Sequence, residues 1–366
     1  MYIHELFDWP NFYWDKKLID PLVIESHHQQ GKIAGQIQAL GLSLRSESIL
    51  RTVTEDIIKT SEIEGEVLNR EQVRSSVARR LGLDVQTMIP VDRNVEGIVE
   101  MMFDAIEKYA NPLSEDRLFG WHSALFPTGR SGMHRIKAGQ WRDDSEGPMQ
   151  VVSGPIGREK VHYEAPHAQR LNKEMKVFLN WFNHEKELDL LLKSGIAHLW
   201  FVTLHPFDDG NGRIGRTITD MLLARSENSS ERFYSLSSQI QKERKEYYDI
   251  LENTQKGNLD ITSWLEWFFN CLLHAIHNSR EILKDILIKA RFWEENKGKV
   301  FNARQIKIIN KLLDGLEGNL TSSKWAKLAK CSQDTAYRDI TDLIEKNVLI
   351  KAPSGGRSSH YTLVKS

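Results

Sequence analysis

The sequence predicts a mainly α-helical chain that carries one β-hairpin and ends in a winged helix-turn-helix domain. Three observations support this fold class. Apolar residues recur every three or four positions over most of residues 1–300, which is the period of an amphipathic helix. Residues 149–163 instead read as two paired strands. Residues 302–366 read as three short helices followed by two strands, which is the order of a winged helix.

The N-terminal third contains helices that end at glycines. Ser114, with Glu115 and Asp116 behind it, has the composition of a helix start. The predicted helices run from Leu18 to Leu44, Ser46 to Glu64, Arg70 to Leu81 and Val95 to about Phe126, the last interrupted at residues 111–114.

The predicted hairpin lies in the middle of the chain. Its strands, residues 149–153 and 160–163, flank the turn sequence Gly154-Pro155-Ile156-Gly157. Helical periodicity then resumes over residues 168–204, 214–226 and 243–290, with a break near Gly257-Asn258.

The C-terminal segment has its own pattern. Helices are expected over residues 302–316, 323–329 and 333–346, and the strands 348–350 and 360–364 flank a turn at residues 353–357. We therefore expect an N-terminal helical domain over residues 1–95, a central domain over 96–295 and a winged-helix domain over 300–366.

Composition and charge narrow the function classes. The 366 residues are 40% hydrophobic and include 10 Trp and 14 Phe, which indicates a folded chain with more than one core. The net charge of −1 argues against a protein that mainly coats nucleic acid. That average hides an asymmetry, because residues 302–366 carry a net +5 and the rest −6. No stretch of about 20 apolar residues predicts a membrane span, and the N-terminus does not resemble a signal peptide, so we expect a cytoplasmic protein.

One stretch carries the most chemical information. It reads His205-Pro206-Phe207-Asp208-Asp209-Gly210-Asn211-Gly212-Arg213-Ile214-Gly215-Arg216. Two glycines flank an asparagine just before a helix expected to begin near Ile214. Backbone N–H groups at the positive end of such a helix converge on an anion, so the sequence predicts a phosphate cradle.

The side chains around this cradle fit nucleotide chemistry. Arg213 and Arg216 stand three apart and are expected to contact successive phosphates. Asp209 is suited to holding Mg²⁺ that bridges phosphate oxygens. His205 is the side chain able to accept a proton near neutral pH.

Three other interpretations of the stretch compete with a nucleotide site. A P-loop would need Lys where Arg213 stands. A hydrolytic metal centre of His198, His205 and Asp209 would leave the glycines and arginines unexplained. An ordinary glycine-rich turn with a helix cap would leave each polar residue without a role.

The stretch resembles the signature of the Fic family, His-x-Phe-x-Asp/Glu-Gly-Asn-Gly-Arg-x-x-Arg, with all eight defining positions present. The resemblance implies a Fic-type helical core and transfer of AMP from ATP to a Ser, Thr or Tyr hydroxyl of a protein, with release of pyrophosphate. It implies that His205 deprotonates the hydroxyl, Asp209 binds Mg²⁺, and Gly210, Asn211 and Gly212 form the anion hole. Arg213 and Arg216 would hold the β- and γ-phosphates, and Phe207 would lock the loop.

Further segments resemble parts of the same family. The hairpin Met149–Tyr163 resembles the flap on which a target protein docks by strand addition. Tyr247, Tyr248 and Gln255 stand where that family surrounds the adenine. The ATP site implied by the resemblance therefore comprises Glu64, His205, Gly210, Asn211, Gly212, Arg213, Ile214, Gly215, Arg216, Tyr247, Tyr248 and Gln255.

The N-terminal domain contains a segment that resembles the inhibitory pattern of the family. Thr60, Glu64 and Gly65 match Ser/Thr-x-x-x-Glu-Gly/Asn at the end of a predicted helix. In that family the Glu pairs with the second arginine of the signature, here Arg216, and blocks the γ-phosphate position. A frayed helix end with a solvated Glu64 is the structural alternative.

Other functions and partners remain open at this point. The alternatives are a winged-helix transcriptional regulator that only senses nucleotide, a family variant that transfers phosphate or another nucleotide, and removal of AMP with Glu64 orienting a water. The helix predicted at residues 333–346 is acidic, so protein contact or homodimerisation is favoured over DNA binding. ATP and a target protein are the expected partners.

Overall fold

The computed structural model describes residues 1–38, 42–83, 89–145, 147–154, 158, 160–313, 316, 318–352 and 360–364. A 3₁₀ turn spans Ile3–Glu5. The helices are α1 (Lys16–Gln38), α2 (Leu42–Ile63), α3 (Arg70–Arg80), α4 (Arg93–Glu107), α5 (Glu115–Leu125), α6 (Ala168–His184), α7 (Leu190–Leu204), α8 (Asn211–Glu227), α9 (Leu236–Lys242), α10 (Arg244–Gln255), α11 (Thr262–Glu295), α12 (Ala303–Leu313), α13 (Ser322–Ala329) and α14 (Gln333–Glu345).

Short antiparallel strand pairs complete the fold. They are β1 (Arg130–Ser131) with β2 (His134–Arg135), β3 (Gln150–Ser153) with β4 (Lys160–Glu164), and β5 (Leu349–Lys351) with β6 (Tyr361–Leu363). The predicted fold class, mainly helical with small hairpins, is therefore confirmed. No helix among the described residues has the length and apolar character needed to cross a membrane.

The chain divides into two compact units, residues 1–279 and residues 280–366. The boundary falls within α11. The division into domains 1–95, 96–295 and 300–366 stays a prediction.

Helix α7 lies at the centre of the first unit. Its side chains are buried on every face, which is the property of a helix enclosed by other elements. Helix α8 packs closely on it, because a Cβ at Gly215 would lie 2.9 Å from Val202 Cγ1. Glycine at this position therefore allows α7 and α8 to approach each other, and α8 brings the signature to the core.

Helix α2 packs against α3, α8 and α9. Its apolar residues Leu50, Val53 and Ile57, which stand three and four positions apart, are all buried. The buried Asp56 carboxylate accepts hydrogen bonds from Ser235 Oγ and from the Ser237 backbone N–H at the start of α9. These contacts fix α2 so that its C-terminal end, with Glu64, points at the first turn of α8.

The aromatic N-terminal segment packs on the helical core. Trp9 and Phe12 lie against Trp200 of α7, with ring centroids 6.1 and 5.8 Å away. The Trp9 indole N–H donates a hydrogen bond to Glu174 Oε2. Aromatic burial therefore attaches this segment to α6 and α7.

Several element boundaries differ from the prediction. Helix α8 begins at Asn211 rather than near Ile214, because Gly210 adopts φ +79° and serves as the residue before the first turn. The pattern over 168–204 divides into α6 and α7, where Asp189 caps α7. Helix α9 and the β1–β2 pair were not predicted. The predicted Ser114 cap is confirmed, because its hydroxyl accepts from the Arg117 N–H.

The second unit has the element order expected of a winged helix, with α12, α13 and α14 followed by β5 and β6. The assignment as a winged-helix domain stays a prediction, and the turn at residues 353–357 lies outside the described residues. Asp339 of α14 is buried and accepts from Arg304 and Asn302, while Asp342 pairs with Lys346. Asp339 and Asp342 are therefore neutralised within the unit, so α14 offers a less acidic surface to another molecule than its sequence predicts.

Candidate active site

The loop between α7 and α8 is held by its own side chains. Helix α7 ends at His205, which adopts the left-handed conformation at φ +48°. The buried Asn211 amide closes the loop, since its Oδ1 accepts from the Phe207 N–H at 2.9 Å and its Nδ2 donates to Phe207 O at 2.8 Å. The loop is thereby fixed before any ligand binds.

Phe207 anchors this loop in the core. Its ring is fully buried and stacks on His122, with centroids 4.2 Å apart. The Gly139 N–H donates to His122 Nδ1, so His122 Nε2–H donates to Asp209 O. Burial lowers the pKa of His122 to about 4, so the ring is neutral and serves as a structural bridge.

Truncation of Phe207 is expected to destabilise the fold. Phe207→Ala should lower the free energy of unfolding by about 3–5 kcal/mol, because it leaves a cavity beside His122. Phe7→Ala is the matched control, because Phe7 is 100% exposed. Denaturant unfolding of both variants measures the difference, and equal stabilities would contradict the anchoring role.

His205 lies in the cavity wall with one nitrogen engaged. Its Nδ1 lies 3.2 Å from Val202 O, so Nδ1–H donates and Nε2 keeps its lone pair. Burial lowers the pKa of His205 below its ordinary 6.5. The Arg142 guanidinium, which sequence reasoning missed, donates from Nε to His205 O at 2.8 Å and fixes the residue. A neutral imidazole is therefore presented to the cavity.

The first turn of α8 carries backbone N–H groups without helical partners, at the positive end of the helix. Gly212 has no side chain to cover this turn. A Cβ there would lie only 2.0 Å from Glu64 Oε1, so the Glu64 carboxylate lies directly over the predicted anion hole. An anionic group already occupies the position that the sequence predicts for phosphate.

Both arginines of the signature are paired with the last turn of α2 or with the residues that follow it. Arg216 donates from Nη2 to Glu64 Oε1 at 2.6 Å and from Nε to Thr60 Oγ1 at 2.7 Å. Arg213 donates from Nη1 to Glu66 Oε2 at 2.5 Å. The Glu66 contact was not predicted, because the family pattern ends at Gly65.

The geometry of this segment explains how two carboxylates reach one helix end. Gly65 adopts φ +84°, a conformation that glycine tolerates without strain, and it stands between Glu64 and Glu66. Burial alone would lower the pKa of Arg216, but the Glu64 carboxylate and the tyrosines 247 and 248 raise it. Arg216 is therefore a buried, permanently charged group with an ionic partner.

The predicted adenine residues lie on α10 and line the same cavity as His205. Tyr248 Oη lies 3.4 Å from Glu64 Oε2, and burial raises the pKa of Tyr248 to about 12. Tyr247 is buried and its hydroxyl meets His198 Nε2 at 2.9 Å. Gln255 donates to Thr203 Oγ1. The structure thus brings the three residues together, and their contact with a base stays a prediction.

Two predicted residues have a packing role. Ile214 is fully buried, and Gly215 faces Val202 of α7. Their side-chain positions do not line the cavity, so a contribution to ATP binding would come from their backbone.

Asp209 is the predicted metal ligand. It lines the cavity, and its carboxylate accepts from Ser131 Oγ and from the Gly210 N–H. No group of three or more His, Cys, Asp or Glu side chains in the described part of the chain could hold an ion by itself. A single carboxylate beside a phosphate cradle nevertheless fits Mg²⁺, which takes few protein ligands and completes its shell with phosphate and water.

The predicted hairpin is present as β3 and β4 and is called the flap below, while its role in target docking stays a prediction. Tyr163 of β4 is buried and its hydroxyl donates to Thr203 O at 2.7 Å. His162 Nδ1 lies 2.5 Å from Glu252 Oε2 of α10, which ties the hairpin to that helix. The turn residues 155–157 lie outside the described residues.

A cavity of about 790 Å³ joins these parts. Its lining includes Glu64, His205, Asp209 and Gly212 on one side, the flap residues 149–153 with His162 and Tyr163, and α10 residues from Arg244 to Gln255. The volume lies within the usual size of small-molecule sites. The arrangement offers an anion site, a neutral imidazole and a strand edge around one space.

Two family models match the chain. One, described as a domain of unknown function (DUF4172), covers residues 2–83, and the other, described as the Fic/DOC family, covers residues 112–223. The second contains the whole signature loop and both of its arginines. The chain carries a Fic/DOC-family domain. The predicted family resemblance is thereby confirmed for this domain.

Curated relatives of the Fic domain are transferases. A probable protein adenylyltransferase of Aquifex aeolicus is 30% identical over 91 residues, which are 25% of this chain and 26% of the relative. Protein adenylyltransferase Fic of Drosophila mojavensis is 27% identical over 214 residues, covering 57% of this chain and 38% of the relative. A uridine 5′-monophosphate transferase of Xanthomonas campestris is 29% identical over 123 residues, 31% of this chain and 21% of the relative. The chain therefore spans well under half the length of each.

Solved structures show the same fold. A Fic family protein from Desulfovibrio desulfuricans matches with a TM-score of 0.50 and 21% identity, covering 94% of this chain and 97% of that one. Fic-1 from Caenorhabditis elegans matches with a TM-score of 0.50 and 19% identity over 75% of this chain and 74% of that one. At these identities the similarity concerns the fold.

Proposed function

We propose that this protein is a protein adenylyltransferase that transfers AMP from ATP to Ser, Thr or Tyr hydroxyls of proteins, itself included. The observation that carries the proposal is the neutral His205 beside the first turn of α8, whose backbone N–H groups have no partners within the helix, with Arg213 and Arg216 on the same helix. The adenylyltransferase names of the Aquifex and Drosophila relatives support the same reaction.

Each group has a defined task in this reaction. The backbone N–H groups at Gly212 and its neighbours bind phosphate oxygens, and the two arginines bind the terminal phosphates of ATP. His205 Nε2 accepts the proton of the attacking hydroxyl, while Val202 O and Arg142 hold the ring and backbone of His205 in position. Asp209 would hold Mg²⁺, which would offset phosphate charge. The edge of the flap would align the hydroxyl-bearing segment of the target.

We further propose that the segment after α2 inhibits this reaction within one chain. Glu64 lies where a phosphate would bind and neutralises Arg216, and Glu66 neutralises Arg213. ATP phosphates and these two carboxylates compete for the same donors. Productive ATP binding therefore requires the residues 64–66 to withdraw from α8.

Nucleotide choice and partners complete the proposal. Because one relative is a uridine 5′-monophosphate transferase, UTP is the alternative to ATP as the nucleotide substrate. We propose homodimerisation or protein contact for the second unit, in preference to DNA binding, because Asp334 and Glu345 of α14 stay exposed although Asp339 and Asp342 are paired within the unit.

The experiment uses the Glu64→Gly variant with a cell lysate. ATP labelled at the α-phosphate should label proteins above the level of the lysate alone, while ATP labelled at the γ-phosphate should give no labelling beyond that of the lysate alone. UTP labelled at the α-phosphate, tested in parallel, should give weaker labelling. Labelling from the γ-phosphate alone would contradict AMP transfer, and stronger labelling from UTP would reassign the nucleotide.

A further inference from the structure

Ser153 and His162 of the flap form a hydrogen-bonded series with Glu252 of α10. Ser153 Oγ lies 2.5 Å from His162 Nε2, and His162 Nδ1 lies 2.5 Å from Glu252 Oε2. All three residues line the cavity that His205 and Gly212 also line. A hydroxyl, an imidazole and a carboxylate thus follow one another at the proposed nucleotide site.

The hydrogen-bond partners of Glu252 and His162 indicate where the protons of this Ser153–His162–Glu252 series lie. Hydrogen bonds from Lys256 and then His162 lower the pKa of Glu252 to about 2, so its carboxylate only accepts. His162 Nδ1 therefore carries the proton and donates it to Glu252. In the neutral tautomer of His162 that donates from Nδ1, the Nε2 lone pair faces the Ser153 hydroxyl, which is the arrangement that activates a serine nucleophile.

A β-bulge explains how the flap places His162 there. Val151 pairs with Tyr163, but the next residue, Val152, pairs with Val161, so His162 is an extra residue in β4. Bulges redirect side chains, and they are common beside active sites. Tyr163 points into the core, whereas the His162 ring reaches Glu252 on α10.

In the proposed AMP transfer to a target protein, His205 accepts the proton of the target hydroxyl. The imidazole of His162 has no role in that reaction. We propose that Ser153 is itself an acceptor of the nucleotidyl group, with His162 as its base and Glu252 as a positioning residue. This inference rests on the proposed function and assigns one site of self-modification.

The step balances without a further reactant. Ser153 Oγ attacks the α-phosphorus of ATP, an Oγ–P bond forms, and the bond from that phosphorus to the bridging oxygen breaks to release pyrophosphate. The Ser153 proton passes to His162 Nε2. Glu252 stabilises the resulting imidazolium through Nδ1–H.

Peptide mapping by mass spectrometry tests the acceptor. The full-length Glu64→Gly protein is incubated with ATP, alone and with a cell lysate, and its peptides are searched for AMP. We expect AMP on the peptide that contains Ser153, its loss in Ser153→Ala, and its retention on the same peptide in Ser153→Thr, which keeps a hydroxyl. Ser145→Ala is the matched control, because Ser145 hydrogen bonds to Asp143 and is outside the cavity lining.

A second variant separates chemistry from structure. His162→Gln keeps hydrogen-bonding groups but removes the base, so AMP on Ser153 should fall by about 100-fold. Two results would overturn the inference and leave the proposed function standing. One is AMP on lysate proteins but not on Ser153, and the other is undiminished modification of Ser153 in His162→Gln. Absence of AMP from both the chain and the lysate would overturn both.

Discussion

His205→Ala should lower the rate of AMP transfer by about 10²–10⁴-fold, the range that a positioned general base contributes. The structure gives the reason, because His205 lines the cavity and its Nδ1–H donates to Val202 O, which leaves the lone pair on Nε2. The backbone N–H groups proposed to bind phosphate lie in the first turn of α8 and do not involve the imidazole. ATP binding should therefore survive, and the loss should fall on kcat.

The measurement is transfer of α-labelled AMP in the Glu64→Gly background, together with ATP affinity by calorimetry. His184→Ala is the matched control, because His184 is an exposed histidine of α6 that bonds only Asn180 O of its own helix among the contacts described. A His205→Ala variant that transfers AMP at the full rate would exclude this residue as the base.

The pH dependence of the transfer rate should reflect the lowered pKa of His205. Burial lowers the pKa of His205 below 6.5, so the neutral base persists to lower pH than an ordinary histidine would allow. Transfer rates should be level as pH falls from 8 through 6.5 and decline only below it. A decline centred above pH 6.5 would show that the reacting base is not a buried, desolvated imidazole.

Sequence reasoning found the parts of this site that lie within one motif. His205, Asp209, Gly212, Arg213 and Arg216 are close along the chain, so a loop followed by a helix places them together. Glu64 was identified through its own short pattern, although it lies about 150 residues earlier, and the structure places it against Arg216.

The missed residues are those whose role exists only through tertiary contact. Arg142 reaches His205 O, and Glu252 reaches His162 across the flap. Neither pair has a spacing that periodicity or a motif can detect. A bulge in β4 and a left-handed glycine at residue 65 determine where these side chains point, and both depend on the packing around them.

The start of α8 shows why apolar spacing alone does not predict a helix boundary to the residue. Apolar spacing predicts a helix start near Ile214, which is the first buried apolar side chain of α8. The helix begins at Asn211 because Gly210 adopts a positive φ that the apolar pattern does not encode. The difference matters, since it places Gly212 in the first turn, where its N–H group is free for an anion.

Glu64→Gly should raise AMP transfer by about 10–100-fold, and Glu64→Gly combined with Glu66→Ala should raise it further. The first change removes the carboxylate that lies over Gly212 and frees Arg216, whereas the second frees Arg213. A tenfold effect equals about 1.4 kcal/mol, which a nearly buried ion pair can supply. Glu62→Ala is the matched control, because Glu62 pairs with Lys59 on the same helix.

The same variants should differ in thermal stability. Without nucleotide, Glu64→Gly leaves the buried Arg216 charged and without the Glu64 carboxylate, although its hydrogen bonds to Thr60 remain, so the melting temperature of the variant should fall below that of the wild type. ATP should raise the melting temperature more in the variant, because phosphate replaces the missing carboxylate and binding to the folded state stabilises it. Equal shifts with ATP in both proteins would mean that Glu64 and ATP do not compete. In that case the Glu64–Arg216 contact would be a packing feature of α2 rather than a means of inhibition.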